Sequence, residues 1–406
     1  MFKIDNSTNN YKNITHAFFL ALAITIAEPS TILPLMIHHF SDSVILVGLF
    51  ASLLRGGAIT IQLYVAFYAQ TYQYVLPYLG RVFLFRFMAW LSIGLSIYFI
   101  GENHKTITLI LIGVGLFLFS FTAGFGAIYF KELQAKLFSK SYRGKSMASR
   151  QIAGSIASII SGGVAGYILS HYEAPLSYSY LFIASSLFML VGFGVFMTIN
   201  EPIKERVQSK EKNFKQFIVN AIKLFKQEKP LQRQTLVIFL TYSYYMALPF
   251  VILEANTLFK LSGWMVGGFI TIQMIGSIIG SFFLWRNIDE YEKMLSLSFI
   301  FMIFAFTTVI FYKNIYGYTI VFLLYGVAID GFKIAIMNLI IEIAPEEKRP
   351  IYTALQTNIS SIGLFFPIVG GTILHYIHSY TTIYILTIVL LTIGLIKSTK
   401  LKILPT

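Results

Sequence analysis

The sequence predicts an all-α integral membrane protein, with twelve transmembrane helices in two six-helix halves. Three observations carry this. Of 406 residues, 56% are hydrophobic and only 12% charged, against about 25% charged in soluble domains. The apolar residues fall in long unbroken runs rather than in short core segments. The basic residues gather in alternate connections between those runs, as the positive-inside rule requires of a polytopic protein.

A helix needs roughly 20 apolar residues to cross the hydrocarbon layer. Such runs fall at 15–37, 44–66, 83–101, 107–130, 147–170, 178–199, 234–257, 264–285, 294–312, 317–341, 351–376 and 380–397. They exceed the roughly 9–11 residues of a barrel strand and lack its alternation, which excludes an outer-membrane barrel. An even number of spans places both termini on one side. Twenty-six of the 31 Lys and Arg lie on or at that side; Lys105, Lys260 and Lys313 lie opposite, and Arg55 and Lys333 fall inside spans. Both termini are therefore expected in the cytoplasm, with the protein in the inner (plasma) membrane. The formal charge of +13 is a topology signal, and no nucleic-acid partner is expected. The polar N-terminus leads into a run too long for a signal-peptide core, so span 1 is read as retained.

Span 1 contains "AITIAEPSTILPLMI", with Glu28 before Pro29 and with Pro34 five residues on. Both prolines lack a backbone donor, so carbonyls near Thr25 and Ser30 are expected to lose their helical partners. Irregular backbone at membrane depth is tolerated only against protein or a water-filled cavity. An acid at the same place suggests a cavity-lining face. Glu28 lies 13 residues from the cytoplasmic start of span 1, and Arg55 lies 11 residues from the outer start of span 2. Their depths match, so they can pair. In span 10, Asp330 and Lys333 are i, i+3 and can share a face. An ionisable residue at a helix centre costs roughly 2.5 to 3.5 kcal/mol on insertion scales, so these four are the first functional candidates. Structural ion pairs are the competing reading.

The polar stretch 200–233 separates an N-terminal half, 1–199, from a C-terminal half, 234–406. Within it "NFKQFIVNAIKLFKQEK" sets Phe214, Phe217, Ile218, Ala221, Ile222 and Phe225 at helical spacing, flanked by Lys215, Lys223, Lys226 and Lys229. It reads as an amphipathic helix on the cytoplasmic membrane surface. The halves are weakly alike. Val47-Gly48 in span 2 matches Val266-Gly267 in span 8, with Gly57 and Gly276 nine residues past each glycine. The links after spans 4 and 10 each run from an acid (Glu132, Glu342) through an arginine (Arg143, Arg349) to a glutamine (Gln151, Gln356). Double glycines follow, Gly162-Gly163 and Gly370-Gly371. Such duplication is common in secondary transporters.

With twelve spans, a central cytoplasmic loop and the basic "RGKSMASRQ" link after span 4, the chain resembles the major facilitator superfamily over essentially its whole length. The family motif between spans 2 and 3, Gly-x-x-x-Asp-Arg-x-Gly-Arg, is mostly missing. "FYAQTYQYVLPYLGRVFLFR" keeps Gly80, Arg81 and Arg86 but has no Asp. The proline-glycine motif of span 5 is incomplete, since "IISGGVAGYIL" has no proline; "GLFFPIVGG" stands in span 11 instead. The resemblance implies that spans 1, 4, 7 and 10 line a cavity. Glu28, Asp330 and Lys333 then lie on cavity helices, with Arg55 on a flanking one.

In span 7, "TYSYYMALPFVILEAN" clusters Tyr242, Tyr244 and Tyr245 before Pro249 and puts Glu254 nearer the outer mouth. Tyrosines offer an apolar face with a polar tip, useful against a solute. Tyr242, Tyr245 and Glu254 join the cavity candidates, as do Gln273, Asn338, Gln356 and Asn358. For each of these the alternative is helix–helix packing or hydrogen bonding. Absence of cysteine excludes disulfides and thiolate metal sites. His38, His39, His104, His171, His375 and His378 lie toward the outer side, where they read as interfacial residues rather than metal ligands. No P-loop, H-E-x-x-H helix or G-x-S-x-G elbow is present, so no enzyme activity and no cofactor are expected.

The expectation is therefore a monomeric secondary transporter. It moves a small organic solute by alternating access, coupled to protons through Glu28 or Asp330. The four intramembrane charges sum to zero, which suits a zwitterionic solute. An uncoupled facilitator and a non-transporting receptor or scaffold are the alternatives.

Overall fold

The computed structural model describes residues 6–69, 72–203, 213–288, 290–345 and 349–401. Parts of the loop between spans 2 and 3, of the 200–233 stretch and of the link after span 10 lie outside the described residues. Those that are described form helices and connections, with no strand among them.

Among the described residues, eleven helices are long and apolar enough to cross a membrane. The first predicted span completes the twelve but is interrupted. It consists of α1 (Asn6–Ile26) and α2 (Ile32–Phe40), with a break over 27–31. Pro29 stands in that break. Pro34 stands in the first turn of α2, where a helix has no use for a backbone donor. The break is sealed from inside. The Glu28 carbonyl accepts from the backbone N–H of Thr31, Ile32 and Leu33 at 3.3, 2.9 and 3.4 Å. Near the end of α1, Ser161 donates to the Leu22 carbonyl at 3.0 Å and Ser185 to the Ala23 carbonyl at 2.6 Å. These bonds supply the partners that hydrocarbon cannot.

Span 2 is also divided, into α3 (Val44–Gly56) and α4 (Ile59–Ala69). Span 3 is α5 (Leu76–Phe99), span 4 α6 (Lys105–Leu137), span 5 α7 (Lys140–His171) and span 6 α8 (Leu176–Met197). The amphipathic α9 (Phe214–Gln227) follows. Span 7 is α10 (Lys229–Thr241), a 3-10 turn at Tyr242–Met246 and α11 (Leu248–Phe259). Span 8 is α12 (Gly263–Ile279), ending in a π turn at Gly280–Leu284. Spans 9 and 10 are α13 (Tyr291–Phe311) and α14 (Ile315–Ile343). Span 11 is α15 (Arg349–Ser360), a 3-10 turn at Ser361–Phe365 and α16 (Phe366–Ile377); span 12 is α17 (Tyr380–Ser398).

These helices form two compact units. Unit 1 comprises Met1–Ser41, Leu53–Phe214 and Ser262–Gly268; unit 2 comprises Asp42–Ser52, Lys215–Leu261 and Phe269–Thr406. In unit 1, α1 packs on α7 and α8, and α5 packs on α6 and α8. In unit 2, α10 packs on α15 and α17, and α13 packs on α14 and α17. The pairing of spans 1, 3, 4, 5 and 6 thus recurs in spans 7, 9, 10, 11 and 12.

The unit boundaries explain the matched glycines. Unit 2 takes in the start of span 2, where a Cβ on Gly48 would collide with the Pro367 carbonyl. Unit 1 takes in the start of span 8, where a Cβ on Gly267 would collide with the Gly162 carbonyl. Each close approach admits only hydrogen at that position.

The stripe of α9 is partly covered by protein. Phe214 meets Tyr64 and Phe67 in unit 1, with ring centroids at 5.8 and 5.3 Å. In unit 2, Ala221 is buried in a cluster with Leu231, Ile340, Ala344, Tyr352 and Leu355, and Leu224 and Phe225 pack against it. Val219 and Ile222 remain exposed. The small side chain of Ala221 lets α9 approach the ends of spans 10 and 11, so only part of the predicted stripe is left for a membrane surface.

Candidate functional site

In unit 1 the candidate acid sits in the break of span 1. Glu28 is buried. Its Oε1 accepts from the backbone N–H of Ser30 at 3.2 Å and from the Ser30 hydroxyl at 2.8 Å. A carboxylate here lies beside the N-terminus of α2, whose free N–H groups carry partial positive charge. Arg55 lies in the last turn of α3. A cation is favoured at that end for the reciprocal reason. Each charge thus has a helix terminus to answer, which the sequence reading of a Glu28–Arg55 pair did not include. The described bonds of Glu28 run to Ser30, and pairing with Arg55 remains a proposal.

In unit 2 the second acid is held across two spans. Asp330 Oδ2 accepts from the hydroxyls of Ser277 and Ser281, the latter at 3.1 Å, and Oδ1 meets Lys333 Nζ at 3.2 Å. The Asp330 side chain is 10% exposed and that of Lys333 68%. Ser277 and Ser281 are four residues apart and so share one helix face, which lets both reach a single acceptor. Around it, Trp285 donates to the Val327 carbonyl at 3.0 Å.

The tyrosines divide by the geometry of their turn. A 3-10 helix eclipses residues i and i+3, so Tyr242 and Tyr245 lie over one another, 6.2 Å apart and 14° from parallel. Both are half-buried. Tyr244 is buried, with its ring 4.2 Å from that of Tyr245 and packed in the core against Tyr325 and Phe332.

The remaining candidates are bonded or buried within unit 2. Glu254 is buried, with Oε2 accepting from Tyr318 at 2.8 Å and Tyr384 at 2.7 Å, and Oε1 from Lys313 at 2.7 Å. It ties span 7 to spans 10 and 12. Gln356 donates to Gln234 at 3.1 Å, which donates to the Leu339 carbonyl at 3.0 Å, joining spans 11, 7 and 10. Asn338 and Asn358 donate to carbonyls four residues earlier on their own helices, Ile334 and Ala354. Gln273 is buried on α12.

Sequence reasoning missed a polar node in unit 1. Asn13 and Gln134 exchange hydrogen bonds at 3.3 and 2.9 Å, and Asn13 also donates to Ser146 at 3.0 Å. Arg150 donates to Asn13 O and Oδ1, both at 2.8 Å, and lies 3.0 Å from His16 Nδ1. His16 is buried among Phe83, Phe130, Phe193 and Phe196. The node joins spans 1, 4 and 5 as Gln356 and Gln234 join 11, 7 and 10. In the sequence Arg86 and Arg150 stand near the cytoplasmic starts of spans 3 and 5. Helix α5 begins at Leu76 and α7 at Lys140, so both arginines lie beyond the first turns of their helices. Their guanidinium groups cover the rings of Phe119 and Phe130 at 4.2 and 4.6 Å. Asn13 and His16 at i, i+3 were the available signal. Among the described residues, no three His, Asp or Glu side chains converge on a metal site.

The sequence model of the Major Facilitator Superfamily matches residues 15–366 and 235–401. The chain belongs to the major facilitator superfamily. It is a multi-pass membrane transporter and not an enzyme. A search of curated proteins finds no significant match. Similar solved structures include the nucleoside transporter NupG, with TM-score 0.73, 11% identity, and 97% of this chain and 99% of that one covered. A bacterial homologue of the iron transporter ferroportin, in an inward-facing state, gives TM-score 0.74, 12% identity and coverage of 97% and 98%. A D-xylose-proton symporter gives 0.69, 14% and coverage of 98% and 99%. These likenesses are of fold. In the superfamily frame, Glu28, Arg55, Asp330 and Lys333 sit on spans 1, 2 and 10.

Proposed function

We propose that this transporter is a proton-coupled carrier of a small organic solute, oriented with both termini in the cytoplasm. The observation that carries the reading is Asp330. It is a buried carboxylate near the middle of a span, one oxygen of which is tied to an ammonium with an exposed side chain. A group that exchanges protons needs a neutral form the site tolerates and a charged form it can hold. Ser277 and Ser281 can accept as well as donate, so they can bond either form. Glu28, bonded to Ser30, is the candidate acid in the other unit. A proton crossing 100 mV is worth about 2.3 kcal/mol, enough for useful accumulation. A D-xylose-proton symporter among the structures of like fold makes this coupling compatible with the architecture. Stacked Tyr242 and Tyr245 supply a flat apolar surface with polar tips for the solute. Glu28, Arg55, Asp330 and Lys333 balance to zero, which favours a zwitterionic or amphoteric molecule.

The uncoupled alternative has its own support, since the Ser30 bonds and the α2 terminus give Glu28 a structural task. Flux in proteoliposomes separates the readings. Asp330→Asn and Glu28→Gln mimic the protonated acids. The coupling residue should lose pH-gradient-driven accumulation by about tenfold or more, while solute counterflow persists. If both variants accumulate solute with unchanged pH dependence, proton coupling through these acids is wrong.

A further inference from the structure

Unit 2 carries a cleft that the transport site does not use. It has a volume of about 310 Å³ and is lined by Arg233, Leu236, Val237, Lys397, Lys400 and Leu401. Its walls are the first turns of α10 and the end of α17, which pack together. Three cations from two helices thus surround one concavity. Among the described residues, no carboxylate is bonded to any of them. The floor is apolar, with Val237 1% and Leu401 9% exposed. Leu236, on the same helix as Arg233, is 46% exposed.

We propose that this cleft binds the headgroup of an anionic phospholipid. Ordinary topology accounts for basic residues at this membrane end, and the end of α17 favours the two lysines. Neither accounts for an arginine from α10 converging with them on a cavity of ligand size, about 300 Å³ being the lower range for small-molecule sites. A phosphodiester supplies the missing negative charge, and Arg233 can hold two of its oxygens at once. The exposed Leu236 decides between a lipid and a free phosphate. A dissolved anion gains nothing from an apolar wall, whereas an acyl chain covers it. Basic pockets between helices on the cytoplasmic side are where anionic headgroups bind. The assignment rests on the orientation proposed above but is independent of solute and coupling.

Native mass spectrometry of the purified full chain, delipidated in mild detergent, tests it. The probes are palmitoyl-oleoyl phosphatidylglycerol and the corresponding phosphatidylcholine. Each cation near an anionic surface is worth roughly a fivefold gain in affinity, so phosphatidylglycerol should bind at least about tenfold more tightly. The R233Q/K397Q/K400Q variant should reduce the ratio to within about twofold. K293Q, altering an exposed lysine paired with Glu290 outside the cleft, should preserve it. Because all three lining cations are exposed, the variant should remain folded. If it does not, K397Q/K400Q must still lower the ratio by about fivefold or more. Equal binding of the two lipids overturns the proposal. So does a preference that survives the triple variant, or one lost equally in K293Q. Displacement of the lipid by millimolar inorganic phosphate would make the cleft a site for a soluble anion instead. Reporter fusions fix the orientation separately, so its failure is distinguishable from failure to bind lipid.

Discussion

Glu254 shows how one buried charge is made tolerable. Two tyrosines from spans 10 and 12 and a lysine from the connection before span 10 converge on it, and a charge taken out of water is destabilising unless paired in this way. Tyr318 and Tyr384 both donate to Oε2, so each can partly cover for the other. We expect Tyr384→Phe to destabilise by about 1.5–3 kcal/mol, the range for hydrogen bonds to charged groups. The double change Tyr318→Phe with Tyr384→Phe should exceed the sum, because Oε2 is then bare. Thermal melting of detergent-purified variants measures both. A strictly additive double variant would mean that the hydroxyls act independently.

Among the elements, the interrupted spans matter most. Spans 1, 2, 7 and 11 break, and span 8 ends in a π turn. Pro29, Pro249 and Pro367 mark three of these places, since a proline removes one intrahelical bond and crowds the carbonyl four residues back. Capping works at a distance as well. The N-terminus of α5 has no local side-chain cap. Glu201, from beyond span 6, accepts from Val75 and Leu76 N–H at 2.8 Å each and from Lys136 at 2.6 Å. Helix approach is the second element-scale constraint. Gly48→Val should force α3 away from Pro367, an overpacking worth roughly 1–3 kcal/mol. The variant should melt at lower temperature and transport less. Wild-type melting would show that the contact can relax.

At the scale of the molecule, the pattern of helix contacts repeats between the units, and so does the polar node at one end of each. Asn13, Gln134 and Ser146 join spans 1, 4 and 5; Gln234, Leu339 and Gln356 join spans 7, 10 and 11. The orientation prediction belongs here. Reporter fusions at residue 210 and at either terminus should report the cytoplasmic side, and fusions near Lys105 or Lys313 the outer side. Any reversal would discard the orientation and the leaflet assigned to the lipid cleft.

By itself, the sequence determined that this chain spans a membrane many times as helices, because the length and apolarity of each run are local properties. Composition and spacing also picked out Asp330 with Lys333 and the proline break beside Glu28, since charges and prolines inside apolar runs are visible without a fold. Other features depended on which helices meet. The serines that hold Asp330 and Glu254's three donors come from elsewhere in the chain. So do Arg150's partners on α1 and the three cations that share one cleft. No local pattern encodes these, because each is a contact between residues dozens to more than a hundred positions apart. The matched glycines lie between the two cases. Their repetition was legible in the chain, but its cause is the close passage of one backbone over another, which exists only once the helices have packed.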